Sequence, residues 1–594
     1  MQSLPVAGID LGTCFTCVYV YHNGSYVHVP FNGNQTIPSI ISYTNGCFHY
    51  GEYAKNNHPF NPSNTFYDVK RVIGLKWDQC RHVFNQSNYT FRMAASTTSD
   101  PIYYVFTGEN QGFPVTPCQL DALFLQYLVQ EASKTIGQTI EHVVITVPAF
   151  FTPVQTQATL DAARMAGLNV IQIMHEPSAA ALASNPDAVA DRSHYLVYDL
   201  GGGTFDVAIL SVDGLQYSVI VNDGDLHLGG QDFDNKLYNY LIEEFENLGE
   251  DTMNWNNRKK ARLRREVETI KISLSSREEV TLRGEDFGLD EEDEIVIPRE
   301  KFEELIEPYI NKTIAICERA LGQRPDLFRI DNQFNLGPND KILLVGGSSS
   351  IPMVRERLAQ RFGKKVWAGV DPNTIVAKGA CLTAVKRYCE LKGIQNGPVN
   401  NSVVHNIVVR SVFIKSNRGD PEEILPRGMA CNKWAEKELA LSGLFRKEAS
   451  VLLYTTGESQ QTEELGSFKV VQNAWRRDKV VIKIMMDDSG KLHYWYGSER
   501  EELGSGEVDL QNQMSSAELE AAQSRYKLIR KYTDFFREKK EEVEKRGPKF
   551  QEVYLNTTKA LTFIQSIEAL KTDMEKLKTF CQGYEKYINS CLSK

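Results

Sequence analysis

One stretch of the sequence decides the fold: Val197-Tyr198-Asp199-Leu200-Gly201-Gly202-Gly203-Thr204-Phe205-Asp206-Val207-Ala208-Ile209-Leu210. It reads as an apolar strand, a glycine turn led by an aspartate, and a second apolar strand. Residues 8–20 repeat the plan as Gly8-Ile9-Asp10-Leu11-Gly12-Thr13-Cys14-Phe15-Thr16-Cys17-Val18-Tyr19-Val20. Two related halves, each with such a hairpin, predict a duplicated α/β domain with a cleft between its halves.

The two hairpins have the composition of a polyphosphate site. Glycine allows both the tight turn and the close approach of backbone N–H donors to phosphate oxygens, and the hydroxyls of Thr13 and Thr204 add further donors. The carboxylates of Asp10, Asp199 and Asp206 would repel phosphate unless a hard cation lies between, and Mg²⁺ bound largely through its waters suits that arrangement. No Walker A sequence is present, so a P-loop enzyme is excluded.

Size and charge limit the classes of protein that fit. A chain of 594 residues is too long for one hydrophobic core, so several domains are expected. The formal net charge of -10 argues against a main role in nucleic-acid binding, and the basic run at residues 258–265 is interpreted as a solvated helix face. No apolar run is long enough to span a bilayer, and no signal peptide is seen. Eleven scattered cysteines indicate free thiols in a reducing compartment, so we expect a cytoplasmic protein without a membrane partner.

The pattern of elements changes twice along the chain. Up to residue 388, short apolar strands alternate with helical stretches, as in an α/β domain. A linker rich in Gly, Asn and Pro is predicted for residues 389–405, and strands alone for residues 406–512, with a hairpin turn at Asp487-Asp488-Ser489-Gly490. Residues 513–594 form a helical, lid-like segment opened by a capping box at Ser515 and Glu518. The order predicts a multidomain protein with an α/β domain, a β-sandwich-like domain and a helical segment.

Four longer motifs point to a known family. They are Gly8-Ile9-Asp10-Leu11-Gly12-Thr13, His175-Glu176-Pro177-Ser178-Ala179-Ala180-Ala181, Asp199-Leu200-Gly201-Gly202-Gly203-Thr204-Phe205-Asp206 and Gly224-Asp225-Leu226-His227-Leu228-Gly229-Gly230-Gln231-Asp232-Phe233-Asp234. In this order, within the first 388 residues, they resemble the signatures of the seventy-kilodalton heat-shock (DnaK-type) chaperones. The resemblance implies a duplicated actin-like (ribonuclease H-like) ATPase domain and a C-terminal unit that binds unfolded polypeptide.

The resemblance also implies roles for single residues. Lys70 would orient the attacking water, Glu176 would lie near that water, and Asp10 and Asp199 would hold the water shell of Mg²⁺ and K⁺ with Asp206 nearby. Thr204 completes the implied catalytic set. The implied contacts to ATP or ADP are Gly12, Thr13, Cys14, Phe15, Gly201, Gly202, Gly203, Thr204, Gly230, Glu268, Lys271, Ser275, Gly346, Gly347, Ser348, Ser350 and Asn373. From the residues alone, Lys70 reads as an ordinary surface lysine.

The sequence departs from the family pattern at several positions. Ile272 and Ser350 replace two arginines that stack on adenine, which predicts weaker binding of the base. His175 replaces an asparagine and predicts pH dependence near the site. Thr156 and Gln172 replace arginines used in interdomain signalling and J-domain docking, and polar residues interrupt the apolar run after the linker. The sequence therefore gives little support for a J-domain partner or for nucleotide-driven switching.

Three functions fit the predicted fold to different degrees. The leading hypothesis is a divergent chaperone whose ATPase domain governs a polypeptide-binding unit, with a nucleotide-exchange factor as a further partner. The alternative is an ATP-binding assembly protein that docks one fixed partner, as in the heat-shock homologues of filamentous plant viruses that act in virion assembly and movement. A sugar-kinase-type enzyme is disfavoured because it leaves the β-then-α extension unexplained.

Overall fold

The computed structural model shows an α/β region, a β region and a helical region in the predicted order along the chain. It describes residues 3–86, 89–107, 112–184, 192–290, 293–330, 333–363, 366–367, 370–394, 402–415, 420–440, 448–456, 462–471, 479–498, 501–510, 514–566, 569 and 572–593.

Each half of the α/β region is built on one sheet with the same plan. The first strand of the glycine hairpin pairs with one parallel strand, which in turn pairs with a second parallel strand. On its other side it pairs with the antiparallel second strand of the hairpin, and the next strand along the chain continues the sheet in antiparallel fashion. In the first half the order is Asn169–His175, His142–Val147, Leu4–Asp10, Phe15–His22 and Ser25–His28, with Thr36–Pro38 beside Phe15–His22. In the second half it is Val366–Trp367, Lys341–Val345, Ser193–Leu200, Phe205–Asp213 and Gln216–Asp225. The predicted duplication is therefore confirmed.

Helices and smaller sheets cover these two sheets. The other elements of the first half are the strands Ile41–Thr44, Cys47–Tyr50, Thr65–Phe66, Met93–Ala95, Pro101–Phe106 and Gly112–Val115, the α-helices Glu52–Asn57, Trp77–Gln86, Pro117–Ile136, Pro153–Met165 and Glu176–Ala183, and the 3-10 helices His58–Phe60, Pro62–Asn64 and Val69–Arg71. Those of the second half are the strands Glu279–Arg283, Glu294–Pro298, Arg329–Ile330 and Gln333–Phe334, the α-helices Gly230–Asn247, Asn257–Leu274, Arg299–Gly322, Pro325–Phe328, Pro352–Phe362 and Ile375–Lys392, and the 3-10 helices Thr252–Asn254, Gly284–Phe287 and Gly347–Ser350.

The two halves meet where two helices cross in a shared apolar core. Glu176–Ala183 packs on Ile375–Lys392, and the core around them draws side chains from both sheets. Gly379 lies at the crossing, where an added Cβ would come within 1.9 Å of the backbone oxygen of Ala179. Only glycine lets the two helices approach this closely.

The β region is a sandwich of two antiparallel sheets that share one core, as predicted. One sheet has the order Glu422–Leu425, Val412–Lys415, Glu448–Thr456, Thr462–Val471 and Asp509–Leu510, and the other Ala435–Ala440, Lys479–Met486, Leu492–Ser498 and Glu501–Glu507. Buried apolar side chains from both sheets, such as Leu453 and Ile482, form that core. The predicted hairpin turn joins Met486 to Leu492, which pair across it.

The helical region consists of Ser516–Lys545, Pro548–Phe550 (a 3-10 turn), Gln551–Ile564 and Met574–Leu592. The capping box that opens it at Ser515 is present. The long first helix packs on the first half of the α/β region, where Tyr526 joins the apolar core and its backbone oxygen accepts a hydrogen bond from Gln126 Nε2 at 3.0 Å. Within the described ranges, none of the helices is both long and apolar enough to cross a bilayer.

The segment predicted as a linker, residues 389–405, is ordered at both of its ends. Helix Ile375–Lys392 extends into it, while residues 395–401 lie outside the described residues. Val403–His405 pairs in parallel with Gln216–Ser218 and becomes the edge strand of the second-half sheet. The linker pairs there because the edge strand offers backbone N–H and C=O groups that would otherwise lack partners. Hydrophobic periodicity within the linker could not reveal this pairing, since the partner strand is distant in the sequence.

Polar residues hold the β region against the α/β region. Ser178 Oγ donates to Asn406 Oδ1 at 2.9 Å, and the backbone N–H of Asn406 donates to Asp488 Oδ1 at 3.3 Å. Arg427 Nη2 donates to the backbone oxygen of Asn222 at 2.6 Å. Asn406, one of the polar residues in the run after the linker, therefore has hydrogen-bond partners in both the α/β region and the β region.

The two residues that stand where the family has arginines of interdomain signalling, Thr156 and Gln172, are both uncharged. Thr156 is buried beside the β-region turn at Gly490. Gln172 accepts a hydrogen bond from Arg387 Nε at 2.8 Å through its Oε1.

Candidate functional site

A cavity of about 480 Å³ opens between the two halves of the α/β region. Both glycine hairpins, the glycine turn after Lys341–Val345 and the helix Asn257–Leu274 form its wall. The predicted site residues that line it are Asp10, Gly12, Thr13, Cys14, Phe15, Lys70, Glu176, Asp199, Gly201, Gly202, Thr204, Glu268, Lys271, Ser275, Gly346, Gly347, Ser348, Ser350 and Asn373.

Three predicted residues lie outside this lining. An added Cβ at Gly203 would meet Arg71 Nε at 2.7 Å, and one at Gly230 would meet Ser348 Oγ at 2.4 Å. Both glycines therefore pack directly against side chains near the cavity, where a larger residue would not fit. Asp206 is buried at the start of the second hairpin strand, and neither of its carboxylate oxygens has a hydrogen bond of normal geometry.

Lys70 is buried in the cleft, so its interpretation as a surface lysine is wrong. It lies in the 3-10 helix Val69–Arg71, and Glu176 begins the helix Glu176–Ala183. Lys70 Nζ donates to Glu176 Oε1 at 2.5 Å, with each side chain less than a tenth exposed. Burial acts to lower the pKa of Lys70, but Glu176 and Asp10 more than offset it and raise that pKa above its ordinary value. The ammonium group therefore stays charged at neutral pH.

Three aspartates gather beside this ion pair. Asp10 ends the first hairpin strand of its half, and Asp199 and Asp206 face each other in the second hairpin. Burial, followed by the negative charge of Glu176, raises the pKa of Asp10 to about 7, that of Asp206 to about 8, and that of Asp199 well above its ordinary value. These carboxyl groups therefore hold protons near neutral pH unless a cation compensates their charge.

The arrangement fits a hydrated divalent cation. A cation would relieve the crowded charges of Asp10 and Asp199 and would offset the negative charge of the buried carboxylate of Asp206. Among the described residues, no three His, Cys, Asp or Glu side chains converge closely enough to ligate one ion directly. Mg²⁺ normally keeps several waters, so this geometry suits it better than a fully dehydrated ion.

The turn that carries Lys70 is held by contacts to the second half at both of its ends. Asp68, just before it, accepts a hydrogen bond from Gln231 Nε2 of the second half. Arg71, just after it, donates through Nη2 to the backbone oxygen of Gly203 at 3.1 Å. Sequence reasoning missed both residues, and their adjacency to Lys70 was the available signal.

Two titratable side chains near the phosphate loops, His175 and Cys14, have little effect on the chemistry of the site. Burial lowers the pKa of His175 to about 4, so the imidazole stays neutral between pH 5 and 8 and the predicted pH dependence is wrong. Burial raises the pKa of Cys14, whose Sγ packs so close to Gly202 that an added Cβ there would lie 2.2 Å away. The thiol therefore stays protonated and serves as packing.

Several residues of the site were not predicted. Thr146 supports Asp10 from behind the cavity wall: its Oγ1 donates to Asp10 Oδ1 at 3.1 Å, and a lone hydroxyl in a mostly apolar strand could have revealed it. The first-half side of the cavity is also lined by residues that no motif marked, namely Asn34, Gln35, Thr36 and Glu52.

The chain matches known proteins over nearly its whole length. The family described as Hsp70 protein matches residues 6–585. A heat shock 70 kDa protein of Neurospora crassa is 32% identical over 478 residues, which cover 78% of this chain and 71% of that protein. The family match over residues 6–585 includes both hairpins, the β region and most of the helical region. The chain therefore belongs to the Hsp70 family, and this membership supports ATP binding and a chaperone function.

Proposed function

We propose that the chain is an ATP-hydrolysing chaperone whose β and helical regions bind unfolded polypeptide. The ion pair of Lys70 and Glu176 carries the proposal, because it places a charged ammonium on the floor of a cleft walled by two glycine hairpins. Phosphoryl transfer depends on positioning and charge neutralisation more than on covalent chemistry by the protein.

Each group in the cleft has a task in this proposal. The hairpin N–H groups, with Thr13 and Thr204, hold the β and γ phosphates. Glu176 fixes the ammonium of Lys70, which orients the attacking water and stabilises the charge that develops on the γ-phosphoryl group. Asp10 and Asp199 would hold Mg²⁺ through its waters, with K⁺ alongside, and the bound Mg²⁺ supplies neutralisation of phosphate charge.

The proposed coupling between nucleotide and polypeptide follows one short helix. Glu176 begins it, and Ser178, two residues later in the same turn, donates to Asn406, which directly follows the linker strand Val403–His405. A change at the catalytic carboxylate therefore has a contiguous packed path to the β region.

All eleven cysteines are free, which supports a cytoplasmic location. Among the proposed partners we include a nucleotide-exchange factor but no J-domain protein.

The experiment that tests the proposal measures ATP turnover and the affinity for an unfolded peptide in ATP and in ADP. We expect the peptide to stimulate turnover and to bind more weakly in one nucleotide state, since coupling requires differential affinity. Absence of turnover would refute the catalytic proposal. Turnover with equal peptide affinity in both nucleotides would favour the alternative, an assembly protein that docks a fixed partner.

Binding of Mg²⁺ and ATP is expected to release protons at pH 7. The carboxyl groups of Asp10 and Asp206 have raised pKa values of about 7 and about 8 in the ligand-free cleft, and a nearby cation favours their ionised forms. Affinity should therefore rise as the pH increases from 6 to 8. Calorimetry in buffers of different ionisation enthalpy measures the released protons, with ATP in excess chelator as the control. A buffer-independent enthalpy would contradict the assignment.

Replacing Asn406 by alanine is expected to weaken the coupling. The change removes the acceptor for Ser178 Oγ, and leaving a buried polar group unpaired costs about 1–3 kcal/mol. The ratio of peptide affinities in ATP and ADP should fall about fivefold or more, measured by fluorescence anisotropy. The exposed neighbour His405 supplies the matched control, His405→Ala, which should leave the ratio unchanged. An unchanged ratio in Asn406→Ala would show that coupling takes another path.

A further inference from the structure

The cavity has a phosphate end and an opposite end, which the helix Asn257–Leu274 defines. Lys271 lies near the hairpins, because its Nζ donates to the backbone oxygen of Gly230 at 3.1 Å. Ile272 and Ser275 continue the same helix face away from them. Across the cavity, Gly346 packs on the second hairpin, and Ser350, at the end of the 3-10 turn that follows it, also lines the wall. The base of a nucleotide whose phosphates lie on the hairpins therefore falls near Ile272, Ser275 and Ser350.

The charged side chains on this helix face are already engaged. Glu268 forms an ion pair with Lys55 of the first half at 2.9 Å. Lys271 forms one with Asp234 at 2.7 Å. Because Glu268 and Lys271 are each paired with another side chain, neither presents a fixed hydrogen-bond donor or acceptor to a base.

The polar groups that remain to contact the edge of the base can each donate or accept a hydrogen bond. Each hydroxyl of Ser275 and Ser350 can donate to the 6-oxo group of guanine or accept from the 6-amino group of adenine, since the O–H bond rotates. Asn373, beside Gly347, carries a donor and an acceptor on one amide. Ile272, 54% exposed in the cavity wall, offers an apolar surface on which either purine can lie. Strong discrimination between substrates needs a dedicated buried polar contact, and among the described side chains at this end we find none.

We propose that the cleft binds purine nucleoside triphosphates as a class, with similar affinity for ATP and GTP. This inference rests on the proposed function, in which the cleft binds a nucleoside triphosphate. The smaller pyrimidine base covers less of Ile272 and should bind more weakly than either purine.

The test is a competition experiment on the full chain with Mg²⁺, in which ATP, GTP and CTP displace a fluorescent ATP analogue. We expect the Kd for GTP to lie within about tenfold of that for ATP, with CTP weaker than both. If ATP binds and GTP is more than tenfold weaker, the inference is overturned while the proposed function stands. If none of the three binds, the proposed function fails, and this inference with it.

Two variants test the residues themselves. Ser275→Ala combined with Ser350→Ala should weaken ATP and GTP by the same factor, whereas Ser276→Ala, on the exposed side of the same helix end, should change neither. Ile272→Arg should tighten both purines by about 2- to 30-fold through stacking, the equivalent of 0.5–2 kcal/mol. A loss confined to ATP in the double variant, or a gain confined to ATP in Ile272→Arg, would show that this end selects adenine.

Discussion

Lys70→Ala is expected to lower the turnover of ATP by about 100- to 1000-fold while the Kd for ATP stays within a few fold. The proposed contact of the ammonium is made to charge that develops in the transition state, so its loss lowers kcat much more than binding. The phosphate contacts of the hairpins do not involve this side chain and remain. Single-turnover hydrolysis together with equilibrium binding of ATP separates the two effects.

The matched control for this change is Lys76→Ala. Lys76 follows on the same segment and pairs with Asp100 at 2.9 Å, but its side chain is about one third exposed and does not line the cavity. Its loss should alter neither kcat nor Kd. If Lys70→Ala abolished ATP binding in a folded protein, the role assigned to Lys70 in the transition state would be wrong.

Gly379→Ala is expected to destabilise the α/β region by about 3 kcal/mol, because overpacking at a backbone contact forces elements apart. The new methyl group would lie 1.9 Å from the backbone oxygen of Ala179, so the two central helices must separate. Thermal unfolding followed by calorimetry should show a melting temperature lower by several degrees. Because both halves meet at this crossing, weaker binding of ATP should accompany the loss.

Gly583→Ala gives the control for a helical glycine without such a contact. Gly583 lies within Met574–Leu592 and an added Cβ there meets no atom within 4 Å. Alanine should stabilise that helix by about 0.5–1 kcal/mol through its higher helix propensity. Equal and small effects of the two substitutions would mean that the helix crossing tolerates a wider separation than the structure shows.

Much of the fold follows from local patterns in the sequence. Apolar runs beside glycine turns predicted both hairpins, and the change from mixed elements to strands and then to helices predicted the order of the three regions. The capping box at Ser515 marked the start of the last region. These features depend on residues close together in the sequence, so local sequence patterns are enough to predict them.

Pairings between distant segments could not be predicted in this way. Lys70 and Glu176 are 106 positions apart, and Ser178 and Asn406 are 228 positions apart. Periodicity indicates which face of an element is buried, but not which partner covers it. Lys70 therefore read as a surface residue, and Asn406 as an interruption of an apolar run, until the fold supplied their partners.

The helix Glu176–Ala183 also has mechanical properties that follow from its size. Its 8 residues span about 12 Å, two turns that are too short to bend appreciably. It therefore behaves as a stiff lever that rests on Gly379 near its middle. A tilt of about 10° about that fulcrum would move each end by about 1 Å in opposite directions, by the 1.5 Å rise per residue. Glu176 lies at one of these ends, whereas Ser178 lies one residue from Ala179 on the same side and would move by only about 0.3 Å. A tilt would therefore move the carboxylate of Glu176 and leave the hydrogen bond to Asn406 intact, so only a shift of the whole helix would carry a change at the nucleotide to Asn406.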